Sequence, residues 1–432
     1  FSCIDQAVHL ARYPHPGPVH LNLPFREPFL LPKNLKPEEI IHDPDLQSWK
    51  AEKKPWISHP LPKISADAKL LENFAKNLPE QGILSIGRIP PTSISTVKKL
   101  ANDLAWPVFA DIASGLRLGP EFPNRVTYYD QLLIDSDFLK SHPPQKVIHL
   151  GFAPTSKRWL GEMEKLPADT LVWIKEGSSR LDPTNRFRSV FETSVEDFCS
   201  EMISKLKKRK KSEWTIHWLD QSNKIEKLME QFVTNHPLFS EMKLVRTLTK
   251  IIPESHALFL GNSLPVREVD FYGSGNGSEV KVGLNRGASG IDGLVASSAG
   301  YSKGLNQPLT LLLGDLSLLH DLNSLKLISE SPKPIVLIVL NNHGGGIFSF
   351  LPISEHKDIF ETYFSTPHSL EFKDAAKMFK LSYFNPESPE EFESIYLKQA
   401  SADKSCIIEV NTLKEDNIRV QKEWTEFLHQ NR

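Results

Sequence analysis

A chain of 432 residues is long enough for two or three domains, each with a core of its own. At 40% hydrophobic, 24% charged and a formal net charge of −2, it carries no basic excess for nucleic acid or an anionic membrane surface. No run reaches the roughly 18 consecutive apolar residues of a membrane span. Cys3, Cys199 and Cys406 stand far apart without metal-ligand spacing and read as reduced thiols of an intracellular protein.

The opening reads as the interior of a domain. Residues 2–13 show helical spacing, with Ile4, Ala7, Val8 and Ala11 on one side. A turn is expected over Pro14–Pro18, then a strand over VHLNLP (19–24). Residues 26–62, rich in Pro and charge, read as a linker. From about 63 short apolar runs alternate with helical patterns: strands over 82–87, 107–111, 146–151 and 170–175, helices over 92–105 and 194–209. The basic run KLKKRKK (205–211) is expected to be a solvated helix end. Two helices over 213–252 lead into further strands over 257–262, 279–285, 309–315, 335–342 and 406–411, with helices near 291–304, 320–330, 371–379 and 389–401. This alternation predicts parallel sheets of the α/β class.

In open parallel sheets, ligands sit beyond the carboxyl ends of the strands. LTLLLGD ends in Gly314 and Asp315; IVLIVLNN ends in Asn341 and Asn342, followed by His343 and three glycines, Gly344–Gly346. If the strands are neighbours, a carboxylate and a carboxamide oxygen come together, both hard ligands suited to Mg²⁺. The glycines would let backbone approach closely and offer a carbonyl and N–H groups. Taken alone, Asp315 also reads as a helix cap and NNxG as a turn.

GD followed at this distance by NNxG resembles the signature of thiamine diphosphate-dependent enzymes, with Leu316 where most members carry a third glycine. GPVHLNLPFREPF (17–29), LGNSLPVREVD (260–270), NRGASGIDG (285–293), GDLSLLHDLNSL (314–325) and NNHGGGIFSFLP (341–352) are together similar to the 2-succinyl-5-enolpyruvyl-6-hydroxy-3-cyclohexene-1-carboxylate synthases.

The resemblance implies the thiamine diphosphate-binding fold. Residues 1–30 are then expected to be the end of a pyrimidine-binding domain, 31–62 a linker, 63–210 a central domain and 211–432 the diphosphate-binding domain. It implies thiamine diphosphate and Mg²⁺ (or Mn²⁺), with Asp315, Asn342 and the Gly344 carbonyl on the metal. Ser263, Gly314, Leu316, Gly345, Gly346 and Ile347 would contact the cofactor, and Ile291 would wedge it into a bent shape. The implied substrates are the dianions 2-oxoglutarate and isochorismate, in menaquinone or phylloquinone biosynthesis. Arg267, Arg286, Lys157 and Arg158 would hold their carboxylates, the arginines by their bidentate fork, and Ile347, Phe348 and Leu351 would line the site. A homodimer or homotetramer in the cytoplasm, or alternatively a plastid, is expected. Because the glutamate that activates the cofactor lies in the N-terminal domain of the family, the chain is expected to be incomplete for turnover. Another thiamine-dependent 2-oxoacid lyase or ligase, and a non-catalytic fragment retaining the fold, are the competing readings.

Overall fold

The structure is a computed structural model that describes residues 2–13, 17–25, 27, 44–52, 54–60, 66–120, 122–177 and 182–431. The turn expected over Pro14–Pro18 falls largely outside these residues, as does most of the stretch read as a linker.

Two parallel sheets organise the chain. The first contains β1 (Gly82–Ile86), β2 (Val108–Ala110), β3 (Lys146–Leu150), β4 (Leu171–Lys175) and β5 (Ser189–Glu192), in the order β2-β1-β3-β4-β5. The second contains β6 (Ala257–Leu260), β7 (Val282–Leu284), β8 (Leu309–Gly314), β9 (Ile335–Asn341), β10 (Ser382–Phe384) and β11 (Cys406–Asn411), in the order β10-β11-β9-β8-β6-β7. All nine strand pairings among the described residues are parallel. Helices cover both faces, so the central strands are buried on both sides: β9 is buried throughout and β8 up to its last residue. That is why they read as unbroken Val/Ile/Leu runs and not as alternating patterns.

The two units share packing. Phe109 and Trp159 from the first meet Trp218, Met229 and Phe232 of the long helix Glu213–Asn235 and Trp424 of the C-terminal helix Lys414–Asn431 in one apolar cluster. Polar ties reinforce this contact. Arg117, fully buried, donates to the carbonyls of Asp270 (3.1 Å) and Gly273 (2.9 Å), and the Ile112 amide donates to Asp270 Oδ1 (2.8 Å).

Several local expectations change. Residues 19–24 form no strand; Val19, Leu21, Leu23 and Phe25 lie exposed, because among the described residues no neighbouring strand completes a ladder there. The Pro-rich stretch read as linker contains a helix, Pro44–Glu52. The helix expected over 194–209 is Val195–Lys205. It stops early because Leu206 turns extended and Arg209 is drawn away, donating to the carbonyls of Pro79 (2.5 Å) and Leu78 (2.8 Å). The basic run is therefore largely solvated, as expected, but from Leu206 onward it lies beyond the helix and not at its end, and one of its residues is a structural arginine. Strands β5 and β10 escape the sequence pattern because they are short and half-exposed edges. Among the described residues, no helix is long and apolar enough to cross a membrane.

The shared cluster makes a stability prediction. Trp218 is fully buried, with ring centroids 5.3 Å from Phe109 and 4.8 Å from Phe138. Trp218→Ala is expected to lower the free energy of unfolding by about 3–5 kcal/mol, measured by urea denaturation.

Candidate active site

Strand order reverses around β6. The chain leaves β6 for β7 on one side and returns to β8 on the other, which opens a crevice at their carboxyl ends. A cavity of about 260 Å³ lies there. Segments following β6, β7, β8 and β9 all contribute to its wall, which explains how residues spread over a hundred positions come together.

Strands β8 and β9 pair directly, with Gly314 opposite Leu340, so Asp315 and Asn342 emerge side by side into the cavity. Asp315 Oδ2 accepts the Gly344 amide (2.9 Å) and Oδ1 accepts the Leu316 amide (2.6 Å). His368 Nε2 lies 3.2 Å from Oδ2. Burial raises the Asp315 carboxyl above its ordinary range, while the Leu316 and Gly344 amides and then His368 and His343 pull it back. Asn342 Nδ2 donates to Glu241 Oε1 (3.0 Å). Its Oδ1 is buried and has no donor among the described residues.

The glycines serve close approach. Gly344 has φ +149°, and a Cβ there would lie 2.3 Å from the Ser365 carbonyl; at Gly346 a Cβ would lie 2.8 Å from Asn342 Nδ2. Their N–H groups are not offered to a ligand, contrary to expectation. The Gly344 amide goes to Asp315, that of Gly345 to the Ser365 carbonyl (2.7 Å) and that of Gly346 to the Gly344 carbonyl (3.0 Å). The tight loop consumes its own donors.

Two guanidinium groups reach the same cavity. Arg267 sits on the helix Leu264–Tyr272 after β6, and Arg286 on the loop after β7. Burial lowers the Arg267 pKa and the neighbouring Arg286 charge lowers it further. Arg267 donates to the carbonyl of Ser263, and Arg286 Nη1 is buried without an acceptor among the described residues. Two like charges are thus held close together, one of them with a buried donor left unused. Ser263, which also lines the cavity, has φ +71°, a strained setting for a residue with a side chain. Ile291, Gly314, Leu316, Gly345, Ile347 and Phe348 complete the wall.

Lys157, Arg158 and Leu351 are not brought to this cavity. Arg158 pairs with the buried carboxylate of Asp130 and lies over the Phe271 ring; Lys157 is exposed at the start of the helix Lys157–Lys165. Leu351 lines a separate groove against the C-terminal helix. Conversely, Glu241 and His368 are functional-site residues that the sequence pattern does not reveal. Glu241, wholly buried, lines the cavity and shares a hydrogen bond with Glu268, whose carboxyl is held well above its ordinary range by burial and then by Glu241. At the start of the helix Glu241–Ile251, after the capping Ser240, it reads as a routine first-turn acid.

The donors at the cavity fit a hard divalent cation. A carboxylate, a carboxamide oxygen lacking a protein donor and a peptide carbonyl form an all-oxygen set.

A family model, "Middle domain of thiamine pyrophosphate", matches residues 42–260. The chain is 37% identical to a 2-succinyl-5-enolpyruvyl-6-hydroxy-3-cyclohexene-1-carboxylate synthase of Rubrobacter xylanophilus, covering 97% of this chain and 72% of that protein. It is 36% identical to the enzyme of the same name from Chlorobium phaeobacteroides, over 96% and 71%. Benzoylformate decarboxylase from Polynucleobacter necessarius superposes with a TM-score of 0.59 at 13% identity, covering 84% of this chain and 68% of that one, a likeness of fold. Sequence similarity along nearly the whole chain, on a fold shared with a decarboxylase, shows that this chain belongs to the 2-succinyl-5-enolpyruvyl-6-hydroxy-3-cyclohexene-1-carboxylate synthase family of thiamine diphosphate-dependent enzymes.

Proposed function

We propose that the cavity at the ends of β6, β8 and β9 holds the diphosphate end of thiamine diphosphate through Mg²⁺, and that the protein joins 2-oxoglutarate, with loss of carbon dioxide, to isochorismate. The observation that carries this reading is the meeting of Asp315 with the donorless Asn342 oxygen beside Arg267 and Arg286. In the same reading residues 63–210 are the central domain, 211–432 the diphosphate-binding domain, and the working protein is a homodimer or homotetramer.

Asp315, Asn342 Oδ1 and the Gly344 carbonyl would be the metal's protein ligands, with diphosphate oxygens filling the remaining positions. The cavity volume of about 260 Å³ falls just under the roughly 300–1,000 Å³ of complete small-molecule sites, which suits one end of an extended cofactor. Bound there, thiamine diphosphate supplies the electron sink that lets a 2-oxoacid lose carbon dioxide. The chain's own residues do the rest. Arg267 and Arg286 bind carboxylates, whose charge relieves the repulsion between the two guanidinium groups. Ile291, Ile347 and Phe348 present apolar surface that excludes water, which favours carbon–carbon bond formation over protonation.

The deciding measurement is carbon dioxide release by the full-length protein from 2-oxoglutarate and from pyruvate, with and without isochorismate. Turnover of 2-oxoglutarate, coupled to isochorismate consumption, is expected; a preference for pyruvate would replace this reading by that of another thiamine-dependent 2-oxoacid enzyme. Arg267→Ala and Arg286→Ala are each expected to lower kcat/KM about 10- to 100-fold, the worth of a charge-assisted hydrogen bond, with lysine restoring only part of it. Asp315→Ala is expected to abolish Mg²⁺-dependent binding of thiamine diphosphate in a calorimetric titration while leaving the circular dichroism spectrum unchanged.

A further inference from the structure

We propose that Glu241 is a positioning residue that orients the Asn342 carboxamide, turning its oxygen into the cavity beside Asp315 as a ready-made cation ligand. This rests on the metal reading above.

A carboxamide has two nearly isosteric ends, and only its hydrogen-bond partners decide which end faces where. Glu241 Oε1 receives three donors: Asn342 Nδ2 at 3.0 Å, Thr412 Oγ1 at 2.9 Å and Asn417 Nδ2 at 2.6 Å. An oxygen so surrounded is an acceptor whatever the state of the rest of its carboxyl group, so the end of Asn342 against it is the NH₂. A flipped amide would oppose two oxygens and lose the bond. The other end, Oδ1, is then left buried without a donor, an arrangement that costs about 1–3 kcal/mol unless something else satisfies it. A cation in the cavity does so.

Glu241 is itself held from several directions. Its amide donates to Asn417 Oδ1 at 3.1 Å, and its side chain hydrogen-bonds Glu268 on the helix that carries Arg267. Thr412 and Asn417 come from the end of β11 and the C-terminal helix. Gly346 closes another side of the amide, since a Cβ there would lie 2.8 Å from Nδ2. The carboxamide is clamped between a fixed acceptor and a glycine.

The test is Mn²⁺ binding, read from the paramagnetic resonance signal of free Mn²⁺ as the full-length protein is titrated in the presence of thiamine diphosphate. Glu241→Gln keeps an acceptor for all three donors and offers an N–H to Glu268, so its affinity is expected to stay within about 3-fold of the wild type, and Glu241→Ala is expected to weaken binding about 10-fold or more. If the alanine variant does not fold, Glu241→Met preserves the volume without an acceptor. Gly346→Ala, which leaves Glu241 intact and crowds Nδ2, is expected to weaken Mn²⁺ binding as well. Wild-type affinity in folded Glu241→Ala or Glu241→Met, or in Gly346→Ala, would overturn the proposal, and so would equal losses in Glu241→Gln and Glu241→Ala. A wild-type protein that takes up no Mn²⁺ would instead remove the metal reading itself, and Asp315→Ala, expected to bind none, marks that baseline.

Discussion

The site depends on the pairing of β8 with β9. Ten of the residues in that pairing, Leu309–Leu313 and Ile335–Val339, are apolar or Thr and fully buried, so the register is fixed by packing on two faces. A slip of one residue would send each side chain to the opposite face. Polar atoms are thereby confined to the strand tips, and the tips must coincide. The Asp315 carboxylate then caps the loop that follows β9 by accepting the Gly344 amide, which converts a sheet register into the placement of the polar groups at the cavity. The burial that raises the Asp315 carboxyl is offset by two amide donors in the folded chain, and a divalent cation would offset it further.

The arginines show the same logic with opposite sign. Burial and then the neighbouring Arg286 charge depress the basicity of Arg267, an unfavourable setting for a guanidinium group. An anion lying between the two guanidinium groups would relieve that repulsion. The strained backbone of Ser263 belongs to this arrangement, because its carbonyl is the acceptor that holds Arg267. Strain stored at one residue and repulsion between two others are costs that burial elsewhere in the second sheet sustains.

Strands and helices of the central layers were legible because two-sided burial leaves unbroken apolar runs, and the tips were legible because Asp315 and the Asn341–Asn342 pair interrupt those runs abruptly. What escaped has physical reasons. The short edge strands β5 and β10 carry mixed side chains, since one side faces solvent. The stretch 19–24 alternates like a strand, yet alternation specifies a face and not a partner. Glu241 and His368 reach Asn342 and Asp315 from a preceding helix and a following loop, and no local periodicity encodes such a meeting. The loop glycines were read correctly as sites of close approach, but approach to the chain's own carbonyls consumed the N–H groups that the pattern offers to a ligand.

The first sheet matters to the cavity although it contributes little to its wall. The helix Leu264–Tyr272 presents Arg267 at one end, and its other end is fastened to the first unit: Asp270 accepts the Ile112 amide through its side chain and Arg117 through its carbonyl, and Gly273 takes a second bond from Arg117. Burial and then the neighbouring Asp111 hold the Asp270 carboxyl well above its ordinary range, and burial likewise raises Asp111. The same helix carries Glu268, partner of Glu241. One helix thus links the seam between the sheets, the Arg267 guanidinium at the cavity and the carboxyl pair behind Asn342. A shift of the first unit against the second would be felt at the guanidinium and at the carboxamide together, which makes the inter-sheet seam part of the site's geometry and not merely its support.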